Sequence, residues 1–261
     1  MPQPKFRSLR VDAVVLRHSD YGEADRLLTL YTRQRGKMRV IAKGARKIAS
    51  RKAGHIEPFT HVKLQLAAGR EMFILTQADT IDAYLPLRDD LILTSHASYV
   101  IELLDRFTYE DETENATIFR LLTDTLMRLA SNAGASSSLS EVWLVLRFYE
   151  MRLLDQLGFR PQLFECVNCG RAVQPEDQFF SFSAGGVICP RCGQGLKHLH
   201  SISLEALKYL RHFQRSSYAE ASRARPDDDV QRETESLMQA YFTYLLEREL
   251  NTPGFLKKIK A

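Results

Sequence analysis

The only four cysteines of the chain stand as two Cys-x-x-Cys pairs, Cys166-Val167-Asn168-Cys169 and Cys189-Pro190-Arg191-Cys192. A zinc ion takes four ligands in a tetrahedron, and two such turns can each supply two thiolates to one ion. Cys189 lies 20 positions after Cys169, within the separation typical of paired zinc knuckles. Each pair is followed by a glycine, Gly170 and Gly193, which can take the positive φ that turns backbone N–H groups toward sulfur. Between the pairs, Phe179-Phe180-Ser181-Phe182 and Gly185-Gly186-Val187-Ile188 read as a hairpin that joins the two knuckles, as in a zinc ribbon. One structural Zn2+ on Cys166, Cys169, Cys189 and Cys192 is the leading reading. Thiol redox chemistry, disulfide pairing and an iron–sulfur cluster are the alternatives. Four thiolates leave no place for a reactive water, so catalytic zinc is not expected. His198 and His200 read as loop histidines rather than ligands.

Periodicity divides the rest. From Leu9 to Leu85 the apolar pattern has the short period of strands. Five are expected: around Val11–Leu16, Leu28–Thr32, Met38–Ile41, Phe59–Leu66 and Phe73–Ile81, with turns at Gly36 and Gly69. Five short strands of this kind suggest a small barrel or sandwich. After Pro86 the spacing becomes helical, along Leu91, Ser95, Ser98, Ile101 and Leu104, and again over Asn115–Ala130. Ser138-Leu139-Ser140-Glu141 has capping-box spacing, and the helix it opens is apolar nearly all round, which predicts a central, buried element. A last long helix follows Asp227-Asp228-Asp229 and is expected to stop at Thr252-Pro253-Gly254. The class is therefore α+β: residues 1–84 form a β-barrel, and residues 85–261 form a mostly helical domain containing a four-cysteine insert at 162–200.

Charge sets the two parts against each other. Of 36 Lys/Arg and 32 Asp/Glu, residues 1–80 hold 16 and 7, a balance of +9, which leaves 20 and 25, or −5, for the remainder. No acidic residue occurs between Arg26 and Glu57, a span that holds Arg33, Arg35, Lys37, Arg39, Lys43, Arg46, Lys47, Arg51 and Lys52. A solvated basic face normally includes balancing carboxylates, so their absence points to a polyanion partner. Alternation puts Arg33 and Arg35, with Lys37 and Arg39, on one side of a hairpin. Lys43-Gly44-Ala45-Arg46-Lys47 reads as a flexible cationic loop able to follow a phosphate chain, with Tyr21, Tyr31, Phe59 and Phe73 as candidates either for stacking on bases or for the barrel core. About six engaged phosphates would give a log–log salt slope of roughly −4 to −5, with little sequence preference.

Other classes find little support. There is no P-loop, no H-E-x-x-H and no G-x-S-x-G, so no enzyme activity is expected. The acidic clusters Asp89-Asp90, Glu110-Asp111-Glu112 and Asp227–Asp229 read as solvated helix ends. The opening residues lack an apolar stretch suited to secretion, and no run approaches the roughly 20 apolar residues of a membrane span. A soluble cytoplasmic protein, associated with the nucleoid and with no membrane partner, is the expectation.

Several stretches in this order resemble the RecO family of bacterial DNA repair and recombination mediators. They are Ala13-Val14-Val15-Leu16-Arg17, Tyr21-Gly22-Glu23-Ala24-Asp25-Arg26 through Thr32, Gly36-Lys37 and Ala42-Lys43-Gly44-Ala45-Arg46. Leu157-Gly158-Phe159, Pro161, the cysteine knuckles and the Phe255-Leu256 tail continue the likeness to the end of the chain. The resemblance implies an N-terminal OB-fold, a helical remainder and a zinc motif that some members lack. It also implies binding of single- and double-stranded DNA and annealing of complementary strands. In the RecFOR pathway it implies work with RecR to load RecA onto DNA covered by single-strand-binding protein, whose C-terminal tail is a further partner. Lys37, Arg39, Lys43, Arg46 and Lys47 fall in the matching OB-fold region. A zinc-ribbon DNA-binding transcription regulator is the competing reading, and would show strong preference for one operator sequence.

Overall fold

A computed structural model describes residues 8–110, 116–134 and 139–260. The chain divides into two compact units, Met1–Ala133 and Gly134–Ala261.

The first unit is built on β1 (Ser8–Tyr21), β2 (Asp25–Thr32), β3 (Gly36–Ala42), β4 (His61–Ala67) and β5 (Phe73–Asp82). They close into a barrel of order β1-β2-β3-β5-β4. The 14 residues of β1 serve two neighbours: Ser8–Val14 pairs with β4 and Ala13–Tyr21 pairs with β2. A register shift between Val15 and Arg17 lets that strand bend around the barrel. β3 and β5 run parallel through Val40↔Phe73 and Ile41↔Ile74, while the other pairings are antiparallel, and this is the OB-fold order. Alternation places Val11, Ala13 and Val15 with Leu28, Leu30, Val40 and Leu64 in one buried core.

The helices α1 (Pro86–Asp89), α2 (Leu91–Phe107) and α3 (Ala116–Ser131) belong to the same unit. Pro86 marks where strands give way to helices, but the compact units part at Ala133/Gly134 because α1–α3 are tied to the barrel. Arg88 donates to Pro58 O and Thr60 Oγ1, the Tyr84 hydroxyl donates to Thr123 O, and the His61 ring meets Phe119 edge-on at 5.5 Å. Asp90 caps α2 by accepting from the N–H groups of Ile92 and Leu93. The buried side of α2 takes in Leu93, Ala97, Val100 and Leu104 together with Ser95 and Ile101 of the expected stripe; Ser98 is half-buried, and of that stripe only Leu91, at the start of the helix, is exposed. Asn115 and the Ser138 capping residue lie outside the described residues.

The second unit centres on α4 (Leu139–Gln156), against which α6 (Leu204–Arg215), α7 (Tyr218–Ala221) and α8 (Asp228–Leu246) pack. α4 is buried along nearly its whole length, as its all-round apolar sequence predicts, and it encloses an ion pair, Arg147–Glu150 at 2.6 Å. β6 (Gln178–Ser181), β7 (Gly186–Ile188) and β8 (His200–Ile202) form a sheet of order β7-β6-β8, and α5 (Pro190–Gly193) carries Cys192. Asp227 caps α8, which ends at Glu247 in the left-handed region. Thr252-Pro253-Gly254 then lies inside a further helix, α9 (Asn251–Lys260), rather than stopping the chain. Pro253 sits in its first turn, where an N–H has no intrahelical partner to lose. Among the described residues no helix is long and apolar enough to cross a membrane.

Candidate nucleic-acid interface and metal centre

The segment after β3 is bolted to one end of the barrel. The Asp25 carboxylate accepts from Gly44 N at 2.7 Å, and Ala24 O accepts from Arg46 N at 2.9 Å. Gly44 takes φ +66, a conformation costly for other residues, and Ala45 is buried in the barrel core. Lys52 closes the loop from the other side, donating to Lys43 O and Leu75 O. Ser50 N donates to Lys47 O at 2.9 Å and turns the tip, where Ile48 stands fully exposed. The exposed side chains of Lys43, Lys47 and Arg51 form no ion pair among the described residues. Arg46 is also exposed, though it meets Asp20 at 3.2 Å and the carbonyls of Gly22 and Glu23. Screened pairs of that kind contribute little and are readily exchanged.

The remaining expected cations are placed differently. Lys37 and Arg39 do share the outer face of β3, as alternation requires, but residues 105–110 run beside it, enclosing Lys37 and leaving Arg39 exposed. Lys37 Nζ lies 2.6 Å from a carboxylate oxygen of Asp105 and donates to the carbonyls of Asp105 and Thr108 at the end of α2; its side chain is 14% exposed. Arg39 pairs with Glu110 at 2.6 Å, so Glu110 is an ion-pair partner and not only a solvated helix end. Lys52 is held by the two carbonyls named above. Arg33 and Arg35 lie in the β2–β3 turn, at the far end of β3 from Lys43, roughly 20–25 Å away at the usual strand rise. The nine cations are therefore not equally available: Lys43, Arg46, Lys47 and Arg51 share the loop after β3 with exposed side chains, Arg39 is exposed beside Glu110, and Lys37 and Lys52 are held by carbonyls. Arg26 and His18 both contact the Glu57 carboxylate, at 2.8 and 3.2 Å. Burial works against the Glu57 charge, but hydrogen bonds from Arg26 and His18 outweigh it and hold the carboxyl below its ordinary range. Of the stacking candidates, Tyr31 and Phe59 are buried outside the barrel's core cluster, Phe73 packs against that core, and Tyr21 is exposed.

In the second unit the sulfurs of Cys166, Cys169, Cys189 and Cys192 all lie within 4.8 Å of one another. Four thiolates about one zinc ion sit about 3.8 Å apart, from a Zn–S bond of about 2.3 Å, so small rotations complete the tetrahedron. Val167 N donates to Val187 O at 2.9 Å and ties the knuckles together. Cys189 N donates to Cys166 Sγ at 3.3 Å, and Arg171 Nε to Cys169 Sγ at 3.4 Å. The Arg171 side chain and then its backbone N–H pull the Cys169 thiol down to about 6. For Cys166, burial opposes ionisation, but N–H groups of Cys189, Cys169 and Asn168 outweigh it and lower the thiol. The N–H of Cys192 favours a Cys189 thiolate, yet burial and the neighbouring thiols Cys192 and Cys166 push it up to about 11. Crowded sulfurs that resist joint ionisation are what a divalent cation relieves. The glycines after the knuckles differ in their reasons. Gly170 takes φ +69, whereas a Cβ on Gly193 would sit 2.4 Å from the Phe179 ring. His198 is exposed and His200 stacks on Phe182 at 4.0 Å; neither joins the sulfurs. A site closed by four sulfurs stabilises structure and offers no coordination position to a substrate.

Comparison with known proteins agrees with this arrangement. The family model described as Recombination protein O N terminal matches residues 7–84, and the one described as Recombination protein O C terminal matches residues 88–253. A protein named DNA repair protein RecO from Roseiflexus sp. (strain RS-1) is 43% identical over 254 residues, covering 97% of this chain and 87% of that protein. Proteins of the same name from Desulforamulus reducens and Symbiobacterium thermophilum are 32% and 30% identical, covering 96% of this chain in both cases and 94% and 97% of their own lengths.

Proposed function

The chain belongs to the RecO family, and on that premise we propose that it is a DNA repair and recombination mediator that binds single and double strands and anneals complementary ones. The observation that carries this reading is the set of exposed cations, Lys43, Lys47 and Arg51 with Arg46, on a loop fixed to the end of the OB barrel. Phosphate chains bind such a surface by releasing counterions, with little regard for sequence. Two bare strands repel each other, and a surface that neutralises phosphates lowers that cost while base pairing supplies the driving force. No covalent step is needed. The protein raises the rate of productive encounter.

Residues 1–84 are the DNA-binding part in this reading. The four cysteines hold one Zn2+, which stabilises the 162–200 insert within the 85–261 region and does no chemistry. With RecR the protein helps to load RecA onto DNA covered by single-strand-binding protein, whose acidic, apolar tail it contacts. This work belongs to the cytoplasm and its nucleoid. The test is annealing of complementary oligonucleotides without nucleotide. Wild type accelerates pairing for unrelated sequences alike, and the variant Lys43→Glu/Arg46→Glu/Lys47→Glu loses most of that acceleration while keeping its metal. Full annealing by the folded, metal-replete variant would refute the placement, and a strong preference for one duplex sequence would favour a transcription regulator.

A further inference from the structure

The helical unit carries a second cationic group, far in sequence from the basic N-terminal segment. Arg211 and Arg215 stand one turn apart at the end of α6. Their guanidinium carbons lie 5.2 and 3.5 Å from the centre of one ring, that of Phe164, in the stretch leading to the first knuckle. Arg211 is half-buried and donates from Nε to Leu163 O at 2.8 Å; Arg215 is exposed. Among the described residues no carboxylate pairs with either, and Glu165, next to Phe164, is exposed and makes no ion pair with them.

Two ordinary roles do not account for this pair. Cations favour a helix C-terminus, but Arg152 already occupies this one, donating to Gln214 O and Ser216 O. Stacking on an aromatic ring attracts a guanidinium, but here one ring serves two like charges a turn apart, a spacing at which they repel. Burial, and then the charge of Arg215, both disfavour the charge on Arg211. A bound anion relieves both costs, and the planar guanidinium fork matches the oxygens of a phosphate.

We propose that Arg211 and Arg215, seated on Phe164, are a second phosphate-binding site that takes a nucleic-acid strand. The open setting of Arg215 beside an aromatic suits a continuous chain, since cations with aromatics are the elements of single-strand surfaces. This rests on the reading of the barrel loop as the first strand site and adds the partner that annealing requires. One molecule that holds a strand on each unit turns a bimolecular search into an intramolecular one. With two cations against three or four, the second site is the weaker.

The experiment uses the metal-loaded full chain and two non-complementary oligonucleotides, one with a donor dye and one with an acceptor. Energy transfer reports that one molecule holds both. Wild type gives a transfer signal at low salt. Arg215→Glu, a change at an exposed position, keeps binding of a single labelled strand within about twofold but loses the transfer signal and slows annealing of complementary strands about tenfold. Arg211→Lys/Arg215→Lys retains charge and restores part of both. Undiminished transfer and annealing in folded Arg215→Glu overturns the proposal. So does displacement of the second strand by pyrophosphate more effectively than by sodium chloride of equal ionic strength, which marks a pocket for isolated phosphate. If wild type binds no strand at all, the reading of the barrel loop fails first. If it binds one strand and never two, this inference alone fails.

Discussion

Replacing Lys43, Lys47 and Arg51 together by glutamine removes the three loop cations that form no ion pair among the described residues, and the structure sets the size of the effect. Each phosphate neutralised on a single strand contributes about 0.7 to the slope of log K against log salt. Three or four contacts, with Arg46 as the fourth, give a wild-type slope of about −2 to −3, shallower than nine aligned cations would produce. The triple variant loses about 2 from that slope, which at 0.1 M salt amounts to about 100-fold in affinity, or about 3 kcal/mol. Fluorescence anisotropy of a labelled oligonucleotide, titrated at several salt concentrations, measures it. Lys37→Gln is the control, because that side chain is occupied at the end of α2 and its loss leaves the slope alone. An unchanged slope in the triple variant, or an equal drop in Lys37→Gln, would show that the phosphate path runs over the β3 face instead.

The same contacts make Lys37→Ala a stability variant: it takes the nearer cation from Asp105, which keeps Arg17 at 3.4 Å, leaves two helix-end carbonyls without that donor, and costs about 1–3 kcal/mol in urea unfolding, whereas Lys43→Ala stays within about 0.5 kcal/mol. Glu150→Ala removes the carboxylate that buried Arg147 meets at 2.6 Å, with side chains 2% and 0% exposed in the native pair, and lowers stability by about 3 kcal/mol; Arg147→Met/Glu150→Leu recovers part of the loss, read from the shift in Tm. Metal analysis gives one zinc per chain, and Cys192→Ser or chelation exposes the 162–200 region to protease while oligonucleotide binding by the barrel persists. Protease resistance unaltered by chelation would mean that the four sulfurs hold nothing of structural weight.

What the sequence reveals and what it hides follow one physical line. Strand alternation, the change of period at Pro86 and the spacing of the cysteines are local patterns, and the five-stranded barrel, the buried α4 and the sulfur cluster follow from them. The outward face of Lys37 and Arg39 is legible in the same way. That carboxylates meet both cations there is not, because Asp105 and Glu110 lie about 70 positions away in the chain. Gly193 shows the same limit: its place after a knuckle suggests a turn, and the actual reason is a phenylalanine 14 positions earlier that leaves no room for a Cβ. The arginine pair on Phe164 gave no sequence signal, since i, i+4 arginines at a helix end are ordinary and the shared ring comes from another segment.

The claim that a fixed cationic loop lets this protein pair strands is tested most directly on DNA in its working state. Complementary oligonucleotides, each pre-covered with single-strand-binding protein, are mixed without nucleotide, and duplex formation is followed by quenching of paired dyes. Wild type is expected to restore rapid pairing, with the rate falling steeply as salt rises, and the loop triple variant to leave the strands apart. Pairing that is equally fast with the triple variant, or no pairing with wild type at low salt, would contradict the account.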